Sequence, residues 1–283
     1  MTISPTRQQL KPILKWAGGK RQVLPYIRPL VPEEYARYVE PFLGGGAVLF
    51  DLVPSSAVVN DINSELISMY QVIKDDPEGL ISMLSSFTVS KKFFDSIRKW
   101  DRDEREFALR TATEKAARTI FLNRTGFNGL YRVNSRNEFN VPFGRHVNPK
   151  VCDEESIRCT STYFNTARVE FRNEDFRQTI DRSKAGDFIY VDPPYAPLDE
   201  AATTFTSYTS GGFGLQDLVD LREALDAANA RGASWVMSNV KSRQTARLFP
   251  KSRYRVIEVQ VSRPINSNGE GRGAVSEILV TQK

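Results

Sequence analysis

Two cysteines and one histidine are all that this chain of 283 residues carries. A lone His146 speaks against a histidine pair, a histidine-rich metal centre or a Ser-His-Asp triad, and no metal is expected. Cys152 and Cys159 stand in no metal-ligand spacing, and so few thiols fit a reducing, cytoplasmic setting. No apolar run approaches the roughly 18 residues that a membrane span needs. The stretch Met1 to Leu10 is polar and lacks the apolar core of a secretion signal. Gly18-Gly19-Lys20 hints at a phosphate loop, but Arg21 stands where such a loop needs Ser or Thr and the earlier glycine is missing. Gly44-Gly45-Gly46 likewise departs from the dinucleotide spacing G-x-G-x-x-G, which argues against a nicotinamide cofactor.

What is present is a basic, aromatic-rich chain, with net charge +5, 40% hydrophobic and 11% aromatic residues. That composition folds, and its charge suits a polyanionic partner. Two stretches read as alternating strands and helices. In the first, a strand over Ala36 to Phe42 runs into the glycines, Ala47 to Leu52 opens a helix, and Ala57 to Asn60 is a buried strand. Asn63 can then cap a helix reaching Ile73. In the second, strands are expected over Arg168–Phe171, Asp187–Val191 and Ala233–Met237, with a helix over Phe213–Ala230 whose stripe is Leu215, Leu218, Leu221 and Leu225. The tail, Tyr254–Val261 and Ala274–Thr281, alternates as an antiparallel pair. The whole predicts an α/β doubly wound, mostly parallel sheet.

Between the halves lies a charged, helix-forming segment. Inside it Phe127 to Gly144 interleaves aromatics with arginine and asparagine, and two extended runs flank Asn134-Ser135-Arg136-Asn137, which predicts a β-hairpin with a polar tip. Such residue types suit DNA: arginine offers a fork to guanine, asparagine pairs with adenine, and aromatics wedge between bases. A plain polar loop with aromatic anchors has the same outline.

The strongest chemical signal is Asp192-Pro193-Pro194-Tyr195, placed directly after the strand Asp187–Val191. Ligands of open α/β sheets gather at the carboxyl ends of strands. An exocyclic amino group on a base has two N–H donors and a lone pair delocalised into the ring. Asp192 and the Pro193 carbonyl can accept the two protons, and Tyr195 can stack on an extruded base. Cytosine C5 methylation would need a cysteine nucleophile, and neither cysteine lies in a Pro-Cys motif. Cytosine N4 shares the amino-group chemistry, and the tetrad alone does not separate it from adenine N6.

Taken in order, K-W-A-G-G-K at Lys15–Lys20, E-P-F-L-G-G-G at Glu40–Gly46, N-D-I-N at Asn60–Asn63, F-N-G-L-Y-R-V-N at Phe127–Asn134 and D-P-P-Y at Asp192–Tyr195 resemble the Dam-type DNA adenine-N6 methyltransferases. The resemblance runs from about Pro12 to Thr281. It implies a methyltransferase sheet with a C-terminal antiparallel hairpin and an inserted, mainly helical target-recognition domain with a β-hairpin. The expected division is 1–63 with 166–283 for S-adenosylmethionine and catalysis, and 64–165 for recognition. It implies that Trp16 and Lys20 lie by the methionine end of S-adenosylmethionine together with Phe42, Gly44 and Gly46. Asp61 would hold the ribose, Ile62 the adenine ring, and Asp175 and Phe176 a further adenine contact, while Asp192 borders donor and base. Phe127, Asn128, Leu130, Arg132, Asn134 and Pro142 would meet double-stranded DNA, with Arg132 on a guanine of GATC. The chain is expected to act as a monomer, and the Thr-, Ser- and Gly-rich loop Leu198–Gly212 either to close over the flipped base or to touch phosphates.

Overall fold

The computed structural model describes residues 10–16, 18–195, 212–262 and 274–283. The apolar runs assemble as one seven-stranded sheet: β1 (Arg37–Glu40), β2 (Ala57–Asn60), β3 (Val169–Arg172), β4 (Asp187–Val191), β5 (Ser234–Val240), β6 (Tyr254–Ser262) and β7 (Ala274–Gln282). Their order is β3-β2-β1-β4-β5-β7-β6. β2 pairs with β3, β1 with β2 and with β4, and β4 with β5, all parallel. β7 runs antiparallel to both β5 and β6. Every residue of β2 and of β4 is buried, as expected for parallel strands covered on both faces.

Around the sheet the chain forms α1 (Leu24–Ile27), α2 (Ala47–Leu52), α3 (Ser64–Asp75), α4 (Pro77–Ser86), α5 (Lys91–Arg98), α6 (Glu104–Leu109), α7 (Ala112–Thr125), α8 (Glu154–Thr166), α9 (Phe176–Asp181), α10 (Leu215–Ala230) and α11 (Arg243–Leu248). Among the described residues no helix is long and apolar enough to cross a membrane. The strand period of two sends alternate residues to two cores. Tyr38, Val59, Phe188 and Tyr190 join one with α3, α7 and α8; Val39, Ile189 and Val191 join the other with α10. The helices α3, α4, α5, α7 and α8 therefore share a core with one face of the sheet.

Element boundaries moved where local chemistry dictates. β1 stops at Glu40, one residue before Pro41, which has no N–H for a ladder. β3 starts one residue late because Arg168 takes a left-handed backbone at φ 49°. β5 runs on through Ser238 and Asn239, polar residues that nevertheless point into the protein and are buried. Asn63 caps α3 by accepting the Leu66 N–H. In α10 the buried stripe is Leu218, Leu221, Leu225 and Ala228; Leu215, in the first turn, lies beyond the edge of the core and is exposed. The hairpin after α7 is held by two bridges, Gly126 to Phe143 and Val133 to Phe139.

One buried side chain joins the ends of the first three strands. The Asn60 amide donates to the carbonyls of Pro41 and Glu174, each at 3.0 Å, and its oxygen accepts the Glu174 N–H at 2.9 Å. Asn60→Ala removes all three and leaves buried backbone groups without partners, so it is expected to lower the unfolding free energy by about 2–4 kcal/mol. Urea unfolding checks this, and a loss below about 0.5 kcal/mol, the level of an ordinary surface change, would refute it.

Candidate active site

From β1 the chain turns one way to β2 and β3, and β4 lies on the other side. The crevice at the carboxyl ends of β1 and β4 is thus the topological switch point, where open α/β sheets bind ligands. Pro41 to Gly46 leaves β1 into that crevice, and Asp192 to Tyr195 leaves β4 beside it.

Asp192 is held on one oxygen. Its Oδ1 lies 3.0 Å from the Lys20 Nζ and accepts the Ser238 hydroxyl at 2.9 Å. Ser238 also bonds the buried Tyr190 hydroxyl at 2.9 Å. The Asp192 side chain keeps 22% of its surface exposed, so a substrate can approach it. Lys20 is buried; besides Asp192 it donates to the Gly18 carbonyl at 3.0 Å and the Tyr195 hydroxyl at 3.3 Å. Tyr195 in turn donates to Glu277 Oε1 at 2.9 Å, and Glu277 lies 3.8 Å from Lys20. Burial alone would lower the Lys20 pKa, but Asp192, Tyr195 and Glu277 around it raise it and hold the amine protonated. Burial likewise lifts the Asp192 carboxyl above the usual carboxylate range, against the pull of Lys20 and Ser238.

The glycine loop is fixed from below. Gly44 donates its N–H to Asp61 Oδ2 at 2.9 Å, and Asn63 donates to Oδ1 at 2.9 Å. Burial raises the Asp61 pKa while these two donors oppose it. Each carboxylate oxygen has a second lone pair, so both bonds leave acceptors for a hydroxyl. Gly44 has φ 50°, and a Cβ there would stand 2.8 Å from Cδ1 of the Trp16 indole. The glycine therefore admits the protein's own tryptophan as well as any ligand. Gly46, at φ 68°, opens α2. Ile62 is 57% exposed beside Asp61 and offers an open apolar face. Phe42 packs against Phe176 (ring centroids 5.2 Å apart) and Phe213 (5.9 Å). Asp175 caps α9 on the Arg177 N–H and pairs with the Arg177 guanidinium at 2.8 Å; that guanidinium also reaches Asp217 and Asp220 at 2.6 Å each. The Asp175 carboxylate is thus engaged in tying α9 to α10.

After α7 the chain turns through Phe127–Gly129, with Asn128 left-handed at φ 55°. Phe127 is half exposed, and its N–H donates to the Pro142 carbonyl at 2.8 Å. From there the residues alternate. Tyr131, Val133, Phe139 and Val141 are buried, while Arg132 and Pro142 are exposed and Leu130 is half-buried. Arg132 is steadied by Asn140, whose Oδ1 accepts from Nε at 2.7 Å. Asn134 closes the tip: its oxygen accepts the N–H groups of Arg136 (2.9 Å) and Glu138 (3.0 Å), and its amide donates to Glu138 at 2.6 Å. The side chain expected to meet DNA thus also shapes the turn. The loop expected to close over a base or touch phosphates, Leu198–Gly212, lies outside the described residues except for Gly212. Among the described residues no three His, Cys, Asp or Glu side chains cluster to hold a metal.

Residues 16–265 match the model of the D12 class of N6 adenine-specific DNA methyltransferases. The chain belongs to this family. It is 42% identical over 281 residues to the type II methyltransferase M1.LlaDCHI of Lactococcus lactis subsp. cremoris, covering 99% of this chain and 98% of that protein. It is 34% identical over 271 residues to the DNA adenine methylase of Vibrio cholerae, covering 94% of each, and 31% identical over 275 residues to that of Escherichia coli K12, covering 95% and 94%. Membership of the D12 class implies S-adenosylmethionine as methyl donor and DNA as acceptor.

Two groups of this D12-class site escaped the sequence reading. Ser238 and Glu277 lie on β5 and β7, and each shares the sheet face of an apolar neighbour two residues away, Val236 and Leu279. A polar residue at an inward position of an alternating strand was the available signal.

If Lys20 keeps Asp192 ionised, Lys20→Met lifts the Asp192 pKa further. If transfer needs that carboxylate, the rate is then expected to climb at a higher pH than in the wild type. Single-turnover transfer followed against pH checks this, and an acid limb that stays in place would remove Lys20 from that role.

Proposed function

We propose that this D12-class protein methylates adenine N6 within GATC in double-stranded DNA, acting as a monomer in the cytoplasm on a base turned out of the helix. The observation that carries the reading is the Asp192 carboxylate: fixed through Oδ1 by Lys20 and Ser238, partly open, and set at the switch point beside Tyr195. S-adenosylmethionine supplies an electrophilic methyl group on a sulfonium. The remaining work is orientation. Asp192 and the Pro193 carbonyl accept hydrogen bonds from the two amino N–H groups, so the nitrogen lone pair is directed out of conjugation. As the new C–N bond forms and the S–C bond breaks, the nitrogen becomes cationic and gives up one proton, with Asp192 as the nearest acceptor. Pro194 stiffens the turn that aims the carbonyl, and the Tyr195 ring backs the base.

Donor binding is assigned to the residues around the glycine loop. Asp61 takes the ribose hydroxyls with its spare lone pairs, Ile62 covers the adenine ring, and Trp16, Lys20, Phe42, Gly44 and Gly46 surround the methionine end. Phe176 supports Phe42 from below, and Asp175 frames the adenine edge through its pairing with Arg177. Recognition is assigned to segment 64–165. Arg132, steadied by Asn140, presents its fork to guanine. Leu130 and Pro142 share that face, Phe127 enters the base stack, and Asn128 and Asn134 set the turns that present them. A base must leave the duplex because its N6 is unreachable inside the stack. A restriction-modification role draws its support from the name of the Lactococcus relative.

Labelled methyl transfer to a GATC duplex and to the same duplex with that site scrambled tests the reading. Methyladenine in the first alone is expected; transfer to neither, with donor bound, would overturn it. Asp192→Ala is expected to abolish transfer while leaving duplex binding within about two-fold, a change worth under half a kcal/mol. Arg132→Ala is expected to lose about 1–3 kcal/mol of discrimination at one guanine; an unchanged site preference would remove Arg132 from that role.

A further inference from the structure

The donor-side tryptophan and the recognition turn hang on a single side chain. Residues 10–16 form no helix or strand, so their backbone groups need partners from elsewhere. The fully buried Asn123, in the last turns of α7, provides them. Its Oδ1 accepts the Lys15 N–H at 2.9 Å, and its Nδ2 donates to the Lys15 carbonyl at 2.8 Å, as a paired strand would. The second proton of the same Nδ2 goes to the Gly129 carbonyl at 2.9 Å, in the turn that carries Phe127 and Asn128. Both N–H donors of the amide are used, one on Lys15 and one on Gly129.

Three further contacts follow the same line. A Cβ on Gly129 would stand 2.6 Å from the Lys15 Cδ, so the lysine stem lies directly on the turn. Trp16 stacks on Tyr131, with centroids 5.1 Å apart and planes 27° apart. Arg124 donates to the Ile13 carbonyl. The other edge of the Trp16 indole closes on Gly44 in the glycine loop.

We propose that Asn123 is a positioning residue that couples the two substrates: a displacement of the Phe127–Gly129 turn moves the shared amide, and with it Lys15, Trp16 and the donor side of the site. Neither substrate touches Asn123. Whichever binds first fixes the amide, and the second then finds its half already ordered, so each tightens the other by the same factor. This rests on the reading above that the turn meets DNA and Trp16 the donor.

The test measures affinity for S-adenosylhomocysteine, which binds without turnover, with and without a GATC duplex, and affinity for the duplex with and without S-adenosylhomocysteine. The wild type is expected to show the same mutual tightening in both directions, about five-fold or more. Asn123→Ala is expected to bring that factor close to one while each separate affinity moves less than the lost factor. A merely structural role would instead weaken both separate affinities and leave the factor intact, and that result would overturn the proposal. So would a wild type that binds both with no mutual effect. A wild type that binds S-adenosylhomocysteine but no duplex would instead remove the DNA reading itself. Should Asn123→Ala fail to fold, Asn123→Asp takes its place: it keeps an acceptor for the Lys15 N–H, removes both amide donors to Lys15 and Gly129, and is expected to reduce the same factor, an unreduced factor overturning the proposal.

Discussion

A buried ammonium group among oxygens holds this site together. Lys20 comes from the first motif of the chain, Asp192 and Tyr195 from the end of β4, and Glu277 from β7, and they meet within 4 Å of one nitrogen. Removing such a charge from water is costly, and a pair of this kind seldom stabilises a fold more than apolar side chains of the same size. Its presence makes sense as orientation. The cation fixes one carboxylate oxygen, leaves the other side of Asp192 open, and sets the Tyr195 hydroxyl between lysine and glutamate. The rest of the sheet serves to bring these three distant stretches to one place.

Much of this was legible in the residues because the decisive signals are contiguous. Asp192-Pro193-Pro194-Tyr195 follows a run of five buried residues, so both the strand and the place where it ends could be read directly. The same holds for Asn63 as a cap, and for the two faces of the segment after Gly126, where alternation separates Tyr131 and Val133 from Arg132. The reading failed where a residue acts through a distant neighbour. Asn60 resembles the end of a strand until Pro41 and Glu174 are seen beside it. Asn123 sits inside a helix, and its partners lie 108 residues upstream and six downstream. Ser238 and Glu277 are two polar residues in ordinary strands until Asp192 and Tyr195 arrive.

Two residues that the sequence singled out turn out to have work inside the protein as well. Gly44 suggested room for a ligand, yet the atoms that a side chain would strike belong to Trp16. The glycine thus serves internal packing at the same point where it frames the crevice. Asn134, expected at DNA, also shapes the hairpin tip, its oxygen accepting from Arg136 and Glu138 and its amide donating to Glu138. In both cases sequence gives the chemical capability of the side chain and geometry decides which neighbour uses it.

The position of β7 has a consequence for the order in which the protein is made. On a ribosome β6 emerges before β7, yet in the sheet β6 pairs only with β7, which separates it from β5. Until β7 appears, β5 presents an open edge and β6 has no ladder to join, a situation that invites sticking to other chains. Glu277 rides on that same strand. The nascent protein therefore holds Lys20, Asp192 and Tyr195 without Glu277 until β7 emerges, and completion of the sheet and of this polar cluster is a single event.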